Sequence, residues 1–201
     1  VACGTAMHAG LVGKNLIEKL CHIPVTVDIA SEFRYRDPII DEKTLCIYVS
    51  QSGETADTIA ALKLSKTKGA KTLAISNVIG SSITREADYT IYTHAGPEIA
   101  VASTKAYTSQ VVLLAILAIY FAEVLGTTDS KVLEKLKADI LDLPSKIDTI
   151  LDNTEEIKEF AKKVYTQKDM FFLGRGTDYN TSLEGSLKLK EISYIHSEAY
   201  A

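Results

Sequence analysis

The feature that most constrains the fold is an apolar run that stops at a hydroxyl-rich turn and is followed at once by a helical pattern. The run is Leu45–Val49 (LCIYV), the turn is SQSGET at residues 50–55, and the helical pattern covers Ala56–Lys68. The run shows no polar–apolar alternation, which is typical of a parallel strand covered by helices on both faces. The stretch therefore predicts a strand–turn–helix unit of an α/β protein.

Short apolar runs and helical patterns alternate along the rest of the chain. Further strands are predicted at Val25–Ile29, Thr72–Ser76, Tyr89–Tyr92 and Met170–Leu173. Further helices are predicted at Met7–Leu20, Lys105–Leu125, Ser130–Leu151, Glu155–Tyr165 and Tyr179–Ile195. This order predicts βαβ units in a doubly wound parallel sheet with helices on both faces.

A change of pattern near Ser130 divides the chain. A charge-rich helical stretch with Pro144 inside it is followed by a new apolar run, a Gly-bearing turn and a helix, an order that repeats the opening VACGTAMHAG. We predict a first subdomain at 1–130, a helical linker at 131–154 and the beginning of a second subdomain at 155–201. The first strand lacks its body and the last residues carry no stop signal, so we expect a piece of a longer protein.

Composition argues against several classes of function. The net charge is −4 and no dense basic cluster is present, so nucleic-acid binding is not expected. The longest apolar stretch, Val111–Ala122, is shorter than the ~20 residues of a membrane span and predicts a core or interface helix. Cys3, Cys21 and Cys46 show no metal-ligand spacing, which predicts reduced thiols, no metal and a cytoplasmic protein.

The hydroxyl-rich turn has two interpretations. Ser50, Ser52 and Thr55 offer hydroxyl donors beside the N-terminus of a helix, where a phosphate can be bound without a lysine. Gln51 adds an amide and Gly53 lets the backbone approach a ligand, whereas the spacing of a Walker loop is absent. The alternative is simple helix capping by Ser52 or Thr55.

A second polar segment, residues 96–110, precedes the long apolar helix. Val101, Ala102 and Ser103 could line a ligand with backbone groups and one hydroxyl. The alternative is again capping, by Ser103 or Thr104.

A third feature is a charged row near the end of the chain. Glu184, Lys188 and Glu191 stand at helical spacing and so share one face. A carboxylate beside a lysine is suited to proton transfer next to a carbonyl. The alternative is an exposed row of salt bridges. His196 follows this helix and is left open between a packing residue and a site residue.

Taken together, several motifs resemble the isomerase domain of the glutamine:fructose-6-phosphate aminotransferase family, which is built from sugar isomerase (SIS) subdomains. They are CGTA, ASEFRYR, SQSGETADT, EIAVASTKAYTSQ, FLGRG and LKLKEISYIHSEAYA. The serine motif is shared by SIS domains in general, while ASEFRYR and LKLKEISYIHSEAYA narrow the resemblance, which runs along essentially the whole chain.

The resemblance implies a role for each matched residue. The phosphate of fructose 6-phosphate is expected on Ser50, Gln51, Ser52 and Thr55 together with the turn Cys3, Gly4 and Thr5, and the sugar beside Val101, Ala102 and Ser103. Glu191 matches the base that moves a proton between C1 and C2, and Lys188 matches a lysine that assists it. No cofactor is implied. The expected partners are a glutaminase domain of the same chain and a second copy in a homodimer.

The chain departs from the family pattern in two respects. The usual CGTS reads CGTA here, so Ala6 removes one hydroxyl, and weaker phosphate binding is expected. The family's ring-opening histidine and Schiff-base lysine match nothing in these residues, so the chain is expected to be inactive alone.

These observations predict the sugar-isomerase portion of an enzyme that makes glucosamine 6-phosphate from fructose 6-phosphate and ammonia. Two alternatives remain: a noncatalytic SIS module that senses a phosphosugar, and a plain aldose–ketose phosphosugar isomerase. The sensing module would need the serine turn but neither Lys188 nor Glu191.

Overall fold

A computed structural model describes all residues, 1–201, as five strands and nine helices. The strands are β1 (Leu45–Ser50), β2 (Lys71–Ser76), β3 (Tyr89–Tyr92), β4 (Asp169–Leu173) and β5 (His196–Tyr200). The helices are α1 (Gly4–Cys21), α2 (Ala30–Tyr35), α3 (Ala56–Thr67), α4 (Ser82–Glu86), α5 (Lys105–Leu125), α6 (Ser130–Leu141), α7 (Leu143–Asp152), α8 (Glu155–Val164) and α9 (Thr177–Ser193).

The first sheet is parallel, with strand order β1-β2-β3. Ser50 is paired with Ser76, so β1 and β2 end side by side, and both strands are buried over nearly their whole length. The prediction of fully covered parallel strands is confirmed for these two. Their common register places the turn after β1 at the carboxyl edge of the sheet, where α/β proteins bind ligands.

Helices cover both faces of this sheet. Tyr48 of β1 packs with α2 and α3 in one buried cluster. The next residue, Val49, points to the other face and packs with α1 and α5. Because successive side chains of a strand alternate between faces, the two clusters lie on opposite sides of the sheet. The predicted doubly wound α/β fold is therefore confirmed.

Helix α5 packs along α1 and is the most apolar element of the chain. Leu114 and Ala118 are buried on its inner side, and a Cβ at Gly13 would lie 3.0 Å from Leu114, so the two helices approach closely there. With 21 residues and a mean hydropathy of 2.0 in its most apolar window, α5 also has the length and composition of a membrane span, a test that core helices pass as well.

The second sheet is a parallel pair, β4 and β5, packed against α9. The repeat seen in the sequence is present locally, since β4 leads through a glycine turn into α9. One prediction is wrong here: β4 is not covered on both faces, because Phe171 and Leu173 are 63% and 76% exposed. The two sheets lie on either side of the predicted linker, and the division at 131–154 stays a prediction.

Two element predictions need correction, and three elements were not predicted. Residues 25–29 form no strand, because their neighbour is the short stretch Val1–Ala2, which makes one bridge to Ile29 and leaves the rest unpaired. The single helix predicted over Ser130–Leu151 is two, α6 and α7, divided at Asp142. Pro144 explains this, since it lacks an N–H and belongs in the first turn of a new helix. Helices α2 and α4 and strand β5 were not predicted.

Candidate functional site

A polar cavity of about 290 Å³ opens at the carboxyl end of β1. Most of the predicted binding residues lie in its wall: Cys3, Thr5, Ser50, Gln51, Ser52, Thr55, Val101 and Ser103. Gly4 and Ala102 are not part of the wall, although each adjoins a residue that is. The structure thus brings together three segments that are far apart in sequence: the turn before α1, the loop before α3 and the segment before α5.

The loop between β1 and α3 is shaped by its own hydrogen bonds. The Gly53 N–H donates to Ser50 Oγ at 3.0 Å, and the Glu54 N–H donates to Ser52 Oγ at 3.2 Å. Gly53 has a φ of +68°, and a Cβ at this position would lie 2.0 Å from Ser81 Oγ, so only glycine fits. Two hydrogen bonds and a glycine therefore define the tight backbone turn of this loop.

The capping interpretation of this loop is not what the structure shows. Thr55 is the N-cap residue of α3, yet its side chain makes no capping hydrogen bond. Its hydroxyl instead lies 3.4 Å from Ser50 Oγ at the cavity wall. The first N–H groups of a helix have no intrahelical partner, so the α3 N-terminus and the hydroxyls present donors to the same space.

One charged residue of the loop is directed away from the cavity. Glu54 does not line it, and its carboxylate accepts a 2.7 Å hydrogen bond from the Ser82 N–H at the start of α4. The hydrogen bonds from Ser82 lower the pKa of Glu54 below its ordinary value. The loop therefore presents donors and no negative charge to a ligand.

The capping alternative for the second segment also fails. Thr104 is the N-cap of α5 without a side-chain bond, and the cap is supplied by Glu98, whose Oε2 accepts from the N–H groups of Thr104 and Ala106. Ser103 Oγ is buried and has no partner. Val101 contributes to the wall, although it is 94% exposed.

The charged row on α9 joins this cavity through Thr5. Lys188 Nζ lies 2.5 Å from Glu191 Oε2 and donates at 3.1 Å to Thr5 Oγ1. Thr5 Oγ1 in turn donates to Glu184 Oε1 at 2.9 Å. Lys188 and Glu191 do not line the cavity themselves, but one hydroxyl of its wall connects them to it.

Glu184 is the buried end of this row. It is 5% exposed, and its second carboxylate oxygen lies 2.7 Å from Nδ1 of the buried His8. Its negative charge and local burial raise the pKa of Tyr107, with burial the larger cause. The alternative of an exposed salt-bridge row is therefore wrong for Glu184. Glu191, at the other end, has a side chain 33% exposed and remains accessible.

The sequence analysis did not predict a role at this site for two residues, His8 and Gln110. His8 stands three residues after Thr5 on α1, and that helical spacing could have placed both on the face that meets α9. Gln110 is a buried amide in an otherwise apolar stretch of α5, and it lines the cavity.

His196, which the sequence left open, lies at the start of β5. It is exposed and 3.0 Å from Asp169, and it contacts neither the cavity wall nor the charged row of α9.

Comparison with known proteins identifies relatives of the whole chain. The SIS domain family model matches residues 1–120. A glutamine–fructose-6-phosphate aminotransferase [isomerizing] of Clostridium tetani is 65% identical over 201 residues, all of this chain and 33% of that protein. The Clostridium perfringens protein of the same name is 62% identical over the same share. The chain thus spans about a third of the length of these curated relatives.

Solved structures give a consistent result. The C-terminal domain of a glucosamine-fructose-6-phosphate aminotransferase from Francisella tularensis matches 99% of this chain and 56% of that one, with a TM-score of 0.96 and 42% identity. A glucosamine-6-phosphate deaminase from Thermotoga maritima matches with a TM-score of 0.79 and 24% identity over 100% of this chain and 59% of that one, a likeness of fold alone.

Proposed function

The chain belongs to the SIS domain family, and from that membership we propose that it is the sugar-isomerase portion of a glutamine:fructose-6-phosphate aminotransferase. In this role it binds fructose 6-phosphate and takes part in its conversion with ammonia to glucosamine 6-phosphate. The names and the 65% and 62% identities of the relatives support the assignment. The observation that carries it is the hydrogen bond from Lys188 to Thr5, which joins a carboxylate–lysine pair to the wall of a donor-rich cavity.

The phosphate binds in the loop of residues 50–55. Ser50, Ser52 and Thr55 supply hydroxyl donors, Gln51 supplies an amide, and the N-terminus of α3 supplies backbone N–H groups. Cys3 and Thr5 line the cavity beside this loop, and Gly4 lies between them at the start of α1. Ala6 lines the cavity without a hydroxyl, which leaves one donor fewer than the family's usual serine provides.

Proton transfer is assigned to the exposed end of the α9 row. Glu191 acts as the base that removes a proton from C1 of the open-chain imine to give an enaminol and returns it to C2. The proton of the C1 hydroxyl moves to the nitrogen, which leaves an aldehyde at C1 and an amine at C2. Lys188, placed between Glu184 and Glu191, supplies positive charge that stabilises O1 as its proton leaves. Val101, Ala102 and Ser103 position the sugar between the phosphate and this base.

We further propose that the protein works in the cytoplasm as a homodimer, with a glutaminase domain in the longer chain. Helix α5 leaves Tyr120, Val124 and Leu125 57%, 67% and 51% exposed, and neighbouring exposed apolar side chains favour association. Sedimentation of the chain with Val124→Lys tests this point: the dimer should dissociate, and an unchanged sedimentation coefficient would place the interface elsewhere.

A titration of the chain with fructose 6-phosphate and with fructose tests the binding half of the proposal. The phosphorylated sugar should bind at least about 100-fold more tightly, because only it offers a dianion to the cradle. Ser52→Ala should reduce this preference and leave the affinity for fructose unchanged. If the two sugars bind equally and the substitution changes neither, the cavity is not a phosphosugar site and the proposed function is wrong.

A further inference from the structure

Gln110 has a buried polar side chain with an unpaired oxygen atom. It lies in the second turn of α5, is 2% exposed and lines the cavity. Its amide oxygen, Oε1, has no hydrogen-bond partner in the protein. Buried polar atoms are almost always hydrogen-bonded, so an unpaired acceptor on a residue of the cavity wall calls for a partner, and the cavity is where a ligand can supply one.

The same wall holds a second orphan. Ser103 Oγ, two residues before α5 begins, is also buried without a partner. Gln110 lies in α5 and Ser103 in the segment before it, and α5 covers one face of the sheet, whereas the phosphate cradle leads into α3 on the opposite face. A ligand held by its phosphate on the α3 side would therefore extend its remaining atoms toward Gln110.

The chemistry of the orphaned atom restricts its partner. A carboxamide oxygen only accepts hydrogen bonds, and a phosphate dianion has no proton to donate. The partner must carry an O–H or N–H group, as the carbohydrate part of a sugar phosphate does at every hydroxylated carbon.

We propose that Gln110 is a binding residue for the carbohydrate part of the ligand, its Oε1 accepting a hydrogen bond from a sugar hydroxyl. The inference rests on the proposed function and deepens it. In this arrangement the loop of residues 50–55 selects for the phosphate, and Gln110 selects for the hydroxylated chain that follows it.

The test is a pair of titrations, with fructose 6-phosphate and with inorganic phosphate, on wild type and Gln110→Met. Methionine keeps the volume and removes the hydrogen bond. We expect the affinity for fructose 6-phosphate to fall about 3- to 15-fold, as the loss of one hydrogen bond predicts, and the affinity for inorganic phosphate to stay unchanged. Leu117→Met, a buried substitution on the same helix outside the cavity, is the matched control and should change neither affinity.

Gln110→Asn provides a second variant in case the methionine disturbs folding. It keeps the amide but withdraws it by one methylene, and the same selective loss is expected. Unchanged affinity for fructose 6-phosphate in a folded variant would overturn the inference, and so would an equal loss for both ligands. If wild type binds inorganic phosphate but no hexose phosphate, the proposed function fails and this inference fails with it. If wild type and the variants bind fructose 6-phosphate with the same affinity, only the inference is refuted.

Discussion

The phosphate cradle and the charged row of α9 differ in how they are built. The cradle, residues 50–55, is one continuous loop that presents hydroxyl, amide and backbone donors without a net charge. The charged row has three ionisable groups, and its buried member, Glu184, is held by Thr5 and His8, which lie more than 170 residues away in sequence. The difference teaches that the phosphate loop is built from neighbouring residues, whereas the proton-transfer group depends on the docking of α9 against α1.

The largest effect that separates the two regions is expected from Glu191→Gln. The substitution removes the base but no donor of the cradle, so sugar isomerisation in the full-length enzyme should fall by about 10²- to 10⁴-fold. Binding of fructose 6-phosphate should stay within about twofold of wild type, since one exposed carboxylate contributes little to phosphate binding. Proton exchange at C1 measures the isomerisation, and calorimetry measures the binding. Retained turnover would remove Glu191 from the role of base.

Glu184→Ala tests whether the row depends on docking between helices. The substitution leaves His8 and Thr5 without their acceptor in a buried place, and breaking such a network costs about 3 kcal/mol in the free energy of unfolding. Urea denaturation should detect this loss. Lys190→Ala, on an exposed position of the same helix, is the control and should change stability little. Equal stability of both variants would show that the Glu184 contacts do not hold α9 in place.

Ser52→Ala tests whether the phosphate cradle contributes to binding alone. One hydroxyl fewer at a dianion should weaken fructose 6-phosphate binding by about 10- to 150-fold, because hydrogen bonds to charged groups contribute about 1.5–3 kcal/mol. The rate constant for isomerisation at saturating substrate should not change. A fall in that rate constant with unaltered affinity would mean that the cradle takes part in the chemistry.

Ala6→Ser is expected to strengthen binding modestly. Ala6 lies in the cavity wall and is 9% exposed, so an added hydroxyl can reach the ligand without disturbing the surface. We expect the affinity for fructose 6-phosphate to rise about 2- to 10-fold, as one further hydrogen bond predicts. Calorimetric titration measures the change, and a weaker affinity would mean that the cavity has no room for the side chain.

The smallest effect is expected from Glu54→Gln, because the carboxylate of Glu54 does not line the cavity. Its carboxylate pKa is lowered in the folded state, so its contribution to stability is present above about pH 4.5 and is lost as the pH falls through the folded pKa. The variant should be less stable than wild type at pH 7, and the difference should shrink in thermal unfolding below pH 4.5. Fructose 6-phosphate affinity should not change, and a marked change would place Glu54 at the ligand.

The parts of the site that could be predicted from sequence are those made by neighbouring residues. The apolar run 45–49 and the turn after it predict a buried strand and a donor-rich loop, because both signals lie within one short segment. The row of α9 was visible by its spacing, but the burial of Glu184 was not, since it depends on contacts with α1. Gln110 escaped for the same reason: its polar side chain became informative only when the cavity beside it was known.

The fold shows the same limit. Residues 25–29 have strand composition but are nearly without ladder partners, and β5, with the polar sequence HSEAY, is a strand because β4 pairs with it. Pairing partners decide strands more than local composition does. The boundary between α6 and α7 was predictable from sequence, because Pro144 marks the first turn of a new helix. The prediction of one helix over Ser130–Leu151 did not use this signal.

Thr5 lines the cavity and also contacts the charged row, so substituting it tests the central claim most directly. In the full-length enzyme, Thr5→Val should both weaken fructose 6-phosphate binding and slow C1 proton exchange at saturating substrate, each by about 3- to 15-fold, because its hydroxyl serves the cavity wall and the Lys188–Glu184 contacts. Ser52→Ala should change only the first quantity and Glu191→Gln only the second. If Thr5→Val leaves either quantity unchanged, the cradle and the charged row are not connected through this residue, and the account is contradicted.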